Sequence, residues 1–208
     1  MVAIPSGPKV SFIDTSQYRG HVDAVKVAGA GHVGLFPRTT FRDSVDPLWR
    51  ETAKRALDAG LIVAGRHRIY ASPSVSSQFS LFAREVEAIW PGAEGLIISL
   101  DSEDDAKWNQ VQEFEQRAYD RWGVWLLAYY PCWWLRGIGN PTIRPQCTFW
   151  HSRYATQPGD LCGGRTTLKY QAWQYTQEGT CPGVNPPVDL NWFYGTRDDL
   201  RELAVGGE

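Results

Sequence analysis

Residues 96–130 read LIISLDSEDDAKWNQVQEFEQRAYDRWGVWLLAYY, and the order of elements within this stretch decides the fold. The apolar run at 96–100 ends at Asp101 and reads as a buried strand. Residues 104–122 carry Val111, Phe114 and Ala118 at near-helical spacing, and Gly123 closes the segment. Residues 124–130 return to strand. Strand, helix and strand of these lengths make the unit of a parallel sheet joined by crossover helices.

The same alternation extends towards the N-terminus. Residues 10–13 are a strand ending in the turn residues Asp14-Thr15-Ser16, residues 32–36 a strand stopped by Pro37, and residues 61–65 a third. Between them, 44–60 reads as a helix, with Ser44 as its cap, Pro47 in its first turn and Gly60 as its stop. Residues 76–90 place Phe79, Phe82, Val86 and Ile89 on one helical face before Pro91-Gly92. The glycines of 28–34 lead into a strand rather than a helix, the wrong order for a dinucleotide loop, and read as a turn. After Pro131 the pattern changes. Residues 148–154, 170–176 and 188–194 are aromatic and β-like, but the segments between them show no helical period. Eight strands result, five in βα units and three without regular helices. An α/β fold, a modified TIM-like barrel closed by eight strands, accounts for this better than an open doubly wound sheet. A single domain over residues 1–208 is expected, with its core at about 10–195 and 196–208 as a charged tail or linker remnant with a mobile end.

Composition narrows the function classes. With 21 Lys+Arg against 23 Asp+Glu the net charge is −2, so no basic field points to nucleic acid. No apolar run approaches the roughly 18 residues of a membrane span, and the opening residues lack the charge and apolar run of a signal peptide. Ten Trp, nine Tyr and eight Phe against one Met suit either a packed core or a surface that stacks on sugar or base rings. Cys132, Cys147, Cys162 and Cys181 form no CxxC pair, so a zinc site is not expected, and no cofactor is expected. Of the three connectivities open to four cysteines, Cys162 with Cys181, both in Gly/Pro-bearing loops, is the pair to test first.

Four carboxylates stand where a barrel brings chain segments together. Asp14 ends the first strand, Asp101 ends the fourth, Glu103 follows two residues on, and Asp189 lies near the start of the last. Residues two apart on an extended chain face one way, so Asp101 and Glu103 interact, and like charges at close range keep one carboxyl protonated near neutrality. A proton donor beside an anion is the division of labour that glycoside hydrolysis uses. Asp104 and Asp105 read instead as caps of the following helix. His67 ends the third strand and is a candidate substrate contact, and Ser16 and Ser102 lack the GxSxG setting of a hydrolytic serine.

Phe12-Ile13-Asp14-Thr15-Ser16-Gln17-Tyr18, Ile98-Ser99-Leu100-Asp101-Ser102-Glu103 and Trp173-Gln174-Tyr175-Thr176 followed by Val188-Asp189-Leu190-Asn191 resemble, in order and spacing, the family 25 glycoside hydrolases, the Chalaropsis-type lysozymes or N-acetylmuramidases. The resemblance implies a barrel of five βα units with three further strands. It also implies metal-free cleavage of the β-1,4 bond between N-acetylmuramic acid and N-acetylglucosamine in bacterial peptidoglycan. On matching positions Glu103 is the general acid, Asp101 and Asp189 are orienting partners, and Asp14 joins the acidic mouth. Tyr70, Tyr130, Trp150, Tyr154, Trp173, Tyr175, Arg38 and His67 are the expected substrate contacts. The family's usual Lys-Ala-Thr-Glu-Gly stretch is here Arg38-Thr39-Thr40-Phe41-Arg42, and its Tyr-His-Phe is Arg66-His67-Arg68-Ile69-Tyr70. Arg38 keeps the basic residue of the first stretch and the second adds positive charge; Arg66, Arg68 or Arg38 is expected to meet acidic groups of the stem peptide or lactyl ether. The expected setting is a phage endolysin, monomeric, made in the host cytoplasm and acting on the wall after release, with any separate wall-binding module lost or absent. A glycan-binding barrel without turnover is the competing reading.

Overall fold

The computed structural model describes residues 7–139, 141–154 and 170–207. In chain order the elements are β1 (Lys9–Thr15), α1 (Ala24–Gly29), β2 (Gly34–Phe41), β3 (Ser44–Val45), α2 (Trp49–Asp58), β4 (Ile62–Arg68), α3 (Val75–Glu87), β5 (Ile97–Asp101), α4 (Trp108–Trp122), β6 (Leu127–Pro131), α5 (Cys132–Gly137), β7 (Thr148–Ser152), β8 (Tyr170–Gly179), β9 (Val188–Tyr194) and α6 (Arg197–Arg201). Eight strands in the order β1-β9-β8-β7-β6-β5-β4-β2 close into a barrel through the β1–β2 pairing, and β3 turns back on β2 as a short hairpin. Neighbours run parallel except β9, which is antiparallel to both β1 and β8.

Alternation along each strand makes two cores. Phe12, Phe36, Ile62, Ala64, Ile97, Leu127, Trp150 and Phe193 fill the barrel interior. The residues between them, such as Ile13, Leu35, Val63, Ile98 and Ala128, face outward and pack with Ala53, Phe79, Phe82 and Phe114 of the helices. Helix α3 starts where the Ser74 hydroxyl accepts the Ser77 N–H, and it lies close on β4 at Gly65. A Cβ at Gly65 would stand 3.0 Å from Leu96 and 3.1 Å from Val86, so glycine is what permits that approach.

Local signals gave way to tertiary contacts in several places. Residues 44–60 are not one helix: Ser44 belongs to the β2–β3 hairpin, and α2 begins only at Trp49. The buried Asp46 carboxylate is the reason, because it accepts from the Gln17 and Leu48 N–H groups and from Arg38. Strand β2 does not stop at Pro37 but runs to Phe41 across a register shift between Arg38 and Thr40, the kind of irregularity that tolerates proline. Asp104 and Asp105 do not cap α4, whose N-cap is Lys107. Asp104 pairs with Arg68 instead, and Asp105 accepts the Ala71 N–H. Helix α5 was not expected after Pro131. Cys132 is disulfide-bonded while Cys181 and Cys147 are free, so the Cys162–Cys181 bridge is not formed, and Cys162 lies outside the described residues.

The C-terminal segment is built into the fold rather than trailing from it. Thr196 and Asp199 cap α6 reciprocally, Leu200 and Ala204 join the barrel-interior cluster, and Ala204 and Val205 bridge to Ile97 and Glu94. This segment seals the end of the barrel at which β5 begins. Leu200 is fully buried, so Leu200→Ala is expected to cost about 2–5 kcal/mol, read as a lower urea midpoint at unchanged slope.

Candidate active site

The open end of the barrel is where the parallel strands finish. Strand β9 runs the other way, so it begins there, and its register sets Asp189 opposite Asp14 of β1. Inward positions then converge: Asp14 from β1, Arg66 and Arg68 from β4, Asp101 from β5 with Glu103 beyond it, Tyr129 from β6, Gln174 from β8 and Asp189 from β9. Together with Ser16, Tyr18, Arg19, Arg38, Tyr154 and Gln177 they line a cavity of about 200 Å3.

Arg66 is the centre of this arrangement. Its Nη1 donates to Asp14 Oδ1 at 2.5 Å and lies 3.8 Å from Asp101, and its Nη2 donates to the Thr15 carbonyl at 3.2 Å. Burial disfavours its charge, but the surrounding carboxylates, Asp14 first, outweigh burial and raise its pKa. The second Asp14 oxygen accepts from Gln174 at 3.1 Å and Asn191 at 2.9 Å. Asp14 is therefore held fast by three donors.

The other acids bind protons tightly. Burial, then repulsion from Glu103, pushes Asp101 up to about 8, and burial with repulsion from Asp14 does the same for Asp189. Asp101 Oδ1 is buried without a hydrogen-bond partner among the described residues, a position that suits the neutral acid. Glu103 is also raised, by burial, against the pull of Arg68, whose Nη1 stands 2.7 Å from Glu103 Oε1. Arg68 donates at the same time to Asp104, at 2.5 and 3.1 Å. The Glu103 side chain is 24% exposed while Asp101 is 4% and Asp14 0%, and Asp189 is part-exposed, so Glu103 and Asp189 are the carboxyls a molecule in the mouth can reach.

A carboxyl that holds its proton more tightly in the folded chain makes stability fall as pH rises from its unfolded to its folded pKa. For Asp101 and Asp189 that window is about pH 4 to about 8. Urea unfolding at pH 5 and pH 8 is expected to show the native chain weaker at pH 8. In Asp189→Asn the difference is expected to shrink, and an unchanged difference would contradict the assignment.

Not every expected contact reaches the cavity. Arg38 and Tyr154 line it, with Arg38 tied to Asp46 and the Tyr154 hydroxyl donating to Gln174 at 3.2 Å. Tyr70 stands at the rim, 5.9 Å from the Arg68 guanidinium. His67, Tyr130, Trp173 and Tyr175 occupy outward strand positions and lie behind the barrel wall. His67 is buried between Thr40, Gln78 and the Phe114 ring, and burial lowers its pKa to about 3. Tyr130 donates to buried Glu115 at 2.5 Å, Trp173 donates to the Arg153 carbonyl, and Tyr175 stacks on Trp192. Trp150 points inward but lies deep, fully buried, donating to Asn191. All three arginines line the cavity in ion pairs, Arg38 with Asp46, Arg66 with Asp14 and Arg68, the most exposed of them, with Glu103 and Asp104. Tyr129, Gln174 and Asn191 escaped the sequence reading, although each has the inward parity of an identified neighbour.

A TIM-like barrel that crowds four carboxylates at its open end suits the acid-assisted hydrolysis of glycosidic bonds. Glycosyl hydrolases family 25 matches residues 13–184, and the chain belongs to that family. The bacterial lysozyme of Streptomyces coelicolor superposes with a TM-score of 0.78 at 20% identity, covering 98% of this chain and 100% of that one. The catalytic domain of the endolysin ply40 from bacteriophage P40 of Listeria monocytogenes gives 0.77 at 20% identity, covering 95% and 98%. An uncharacterized protein, YegX of Escherichia coli O6:H1, is 25% identical over 99% of this chain and 77% of its own length.

Proposed function

We propose that this glycoside hydrolase is an N-acetylmuramidase, cutting the β-1,4 bond between N-acetylmuramic acid and N-acetylglucosamine in bacterial peptidoglycan. The observation that carries the reading is the single cavity in which Asp14, Asp101, Glu103 and Asp189 meet, with Glu103 part-exposed and bound by Arg68. Glu103, holding its proton, gives it to the glycosidic oxygen as the bond breaks. The acetamido oxygen of the muramic acid attacks the anomeric carbon, which places this chain among the substrate-assisted exceptions to the two-carboxylate scheme. Asp101 and Asp189 orient that acetamido group, their carbonyl oxygens accepting from its N–H as the ring closes. Water, deprotonated by Glu103, then opens the ring and restores the acid. Arg66 and Asp14 take no part in bond making and hold the two aspartates in place.

Mass spectrometry of borohydride-reduced digests of purified wall tests the bond assignment. Reduced muramic acid at the new ends supports it, whereas reduced glucosamine or freed peptides overturn it. The phage setting is tested in a susceptible host: cytoplasmic expression is expected to lyse cells only once the membrane is permeabilised.

A further inference from the structure

A second hollow lies on the same face of the barrel. It holds about 450 Å3 between the β5–α4 loop and α5, floored by Trp108 and Trp134 and walled by Trp133, with Asp104, Asp105 and Lys107 along its rim. It adjoins the catalytic mouth: Asp104 binds Arg68, Arg68 binds Glu103, and the Trp134 indole donates to the Asp104 carbonyl at 2.8 Å. Trp133 is 63% exposed beside the buried Trp134, so its ring is open to a molecule seated in the hollow.

Its place around the barrel gives it meaning. Counting strands in either direction, β6 is four steps from β1, so α5 after β6 stands diametrically across the mouth from the turn after β1. That turn carries Tyr18, 74% exposed, which lines the mouth from the opposite rim. The mouth cavity of about 200 Å3 is smaller than the roughly 300–1,000 Å3 of ordinary ligand sites, so a polymer of sugars must extend beyond it. Tyr18 and Trp133 mark the two ends of a straight path over the acids.

Resting on the muramidase reading, we infer that the glycan strand crosses the mouth from Tyr18 to the Trp133 hollow, where an N-acetylhexosamine outside the cleaved pair stacks its apolar face on Trp133. A sugar is favoured over the stem peptide by the lining: Trp108, Trp133 and Trp134 offer aromatic faces to a pyranose ring, and Asp105 and Lys107 on the rim can hydrogen-bond hydroxyl and acetamido groups.

The test uses the full chain carrying Glu103→Gln and soluble oligosaccharides of alternating N-acetylglucosamine and N-acetylmuramic acid, two and six sugars long and free of peptide, in calorimetric titrations. The six-sugar ligand is expected to bind more tightly than the two-sugar one. Adding Trp133→Ala should weaken the six-sugar complex about five- to tenfold, with Trp133→Phe restoring most of it and Tyr119→Ala, an exposed ring on α4, changing nothing. Equal six-sugar affinity with and without Trp133, while the native enzyme still releases muramic acid ends, overturns this inference alone. A loss seen only with peptide-bearing strands also overturns it, in favour of a peptide occupant. A native enzyme that releases no sugar ends overturns the muramidase reading itself.

Discussion

Glu103→Gln is expected to slow peptidoglycan cleavage by about 10²–10⁴-fold, the share of a rate that a positioned proton donor supplies. The amide keeps the shape of the acid, and its oxygen can still accept from Arg68, so the fold and the mouth are retained. What is lost is the proton for the leaving oxygen. Turbidity of a wall suspension reads the rate, and an unshifted melting temperature shows that the loss is chemical. Asp104→Asn provides the contrast, because it removes the other carboxylate on Arg68. The guanidinium then serves Glu103 alone, holds its charged form more strongly and moves the alkaline limb of the pH profile to lower pH. A Glu103→Gln enzyme with native turnover would transfer the acid's role to another carboxyl.

The largest effect on stability is expected at Arg66. Substitution by Met removes the guanidinium that Asp14, Asp101 and Asp189 share, and leaves buried carboxylates facing one another. Breaking one side of a buried ion pair costs about 3–5 kcal/mol. The loss is expected to depend on pH, with the sign set by the acids that remain. Without the guanidinium their folded-state pKa values rise further, so the variant is penalised more as pH increases and recovers towards the native chain in acid. Urea unfolding at pH 5 and pH 7.5 measures the difference. An equal loss at both values would mean that Arg66 acts through packing rather than charge.

Much of the barrel was legible because crossover helices announce themselves: Val111, Phe114 and Ala118, or Phe79, Phe82 and Val86, repeat at a spacing that strands cannot share. The acids were legible for a related reason, since each polar residue ending an apolar strand marks the rim of the sheet. The direction in which the aromatic residues point was not legible. Strands covered on both faces carry apolar residues at every position, so nothing in LAYYP tells Tyr129, inside, from Tyr130, outside. The same one-residue ambiguity separates Gln174 from Trp173 and Arg66 from His67. The reversal of β9, which brings Asp189 to the mouth from the beginning of a strand, also has no local signature. It follows from how the sheet closes.

Helix α6 and the residues after it occupy the floor of the barrel, with Ala204 against the beginning of β5. Glu103 and its neighbours look out from the roof. A cargo genetically fused to this terminus would therefore hang beneath the enzyme like a keel, leaving the bite free to approach an insoluble surface. The same cargo spliced into the Tyr18 turn would sit between the teeth.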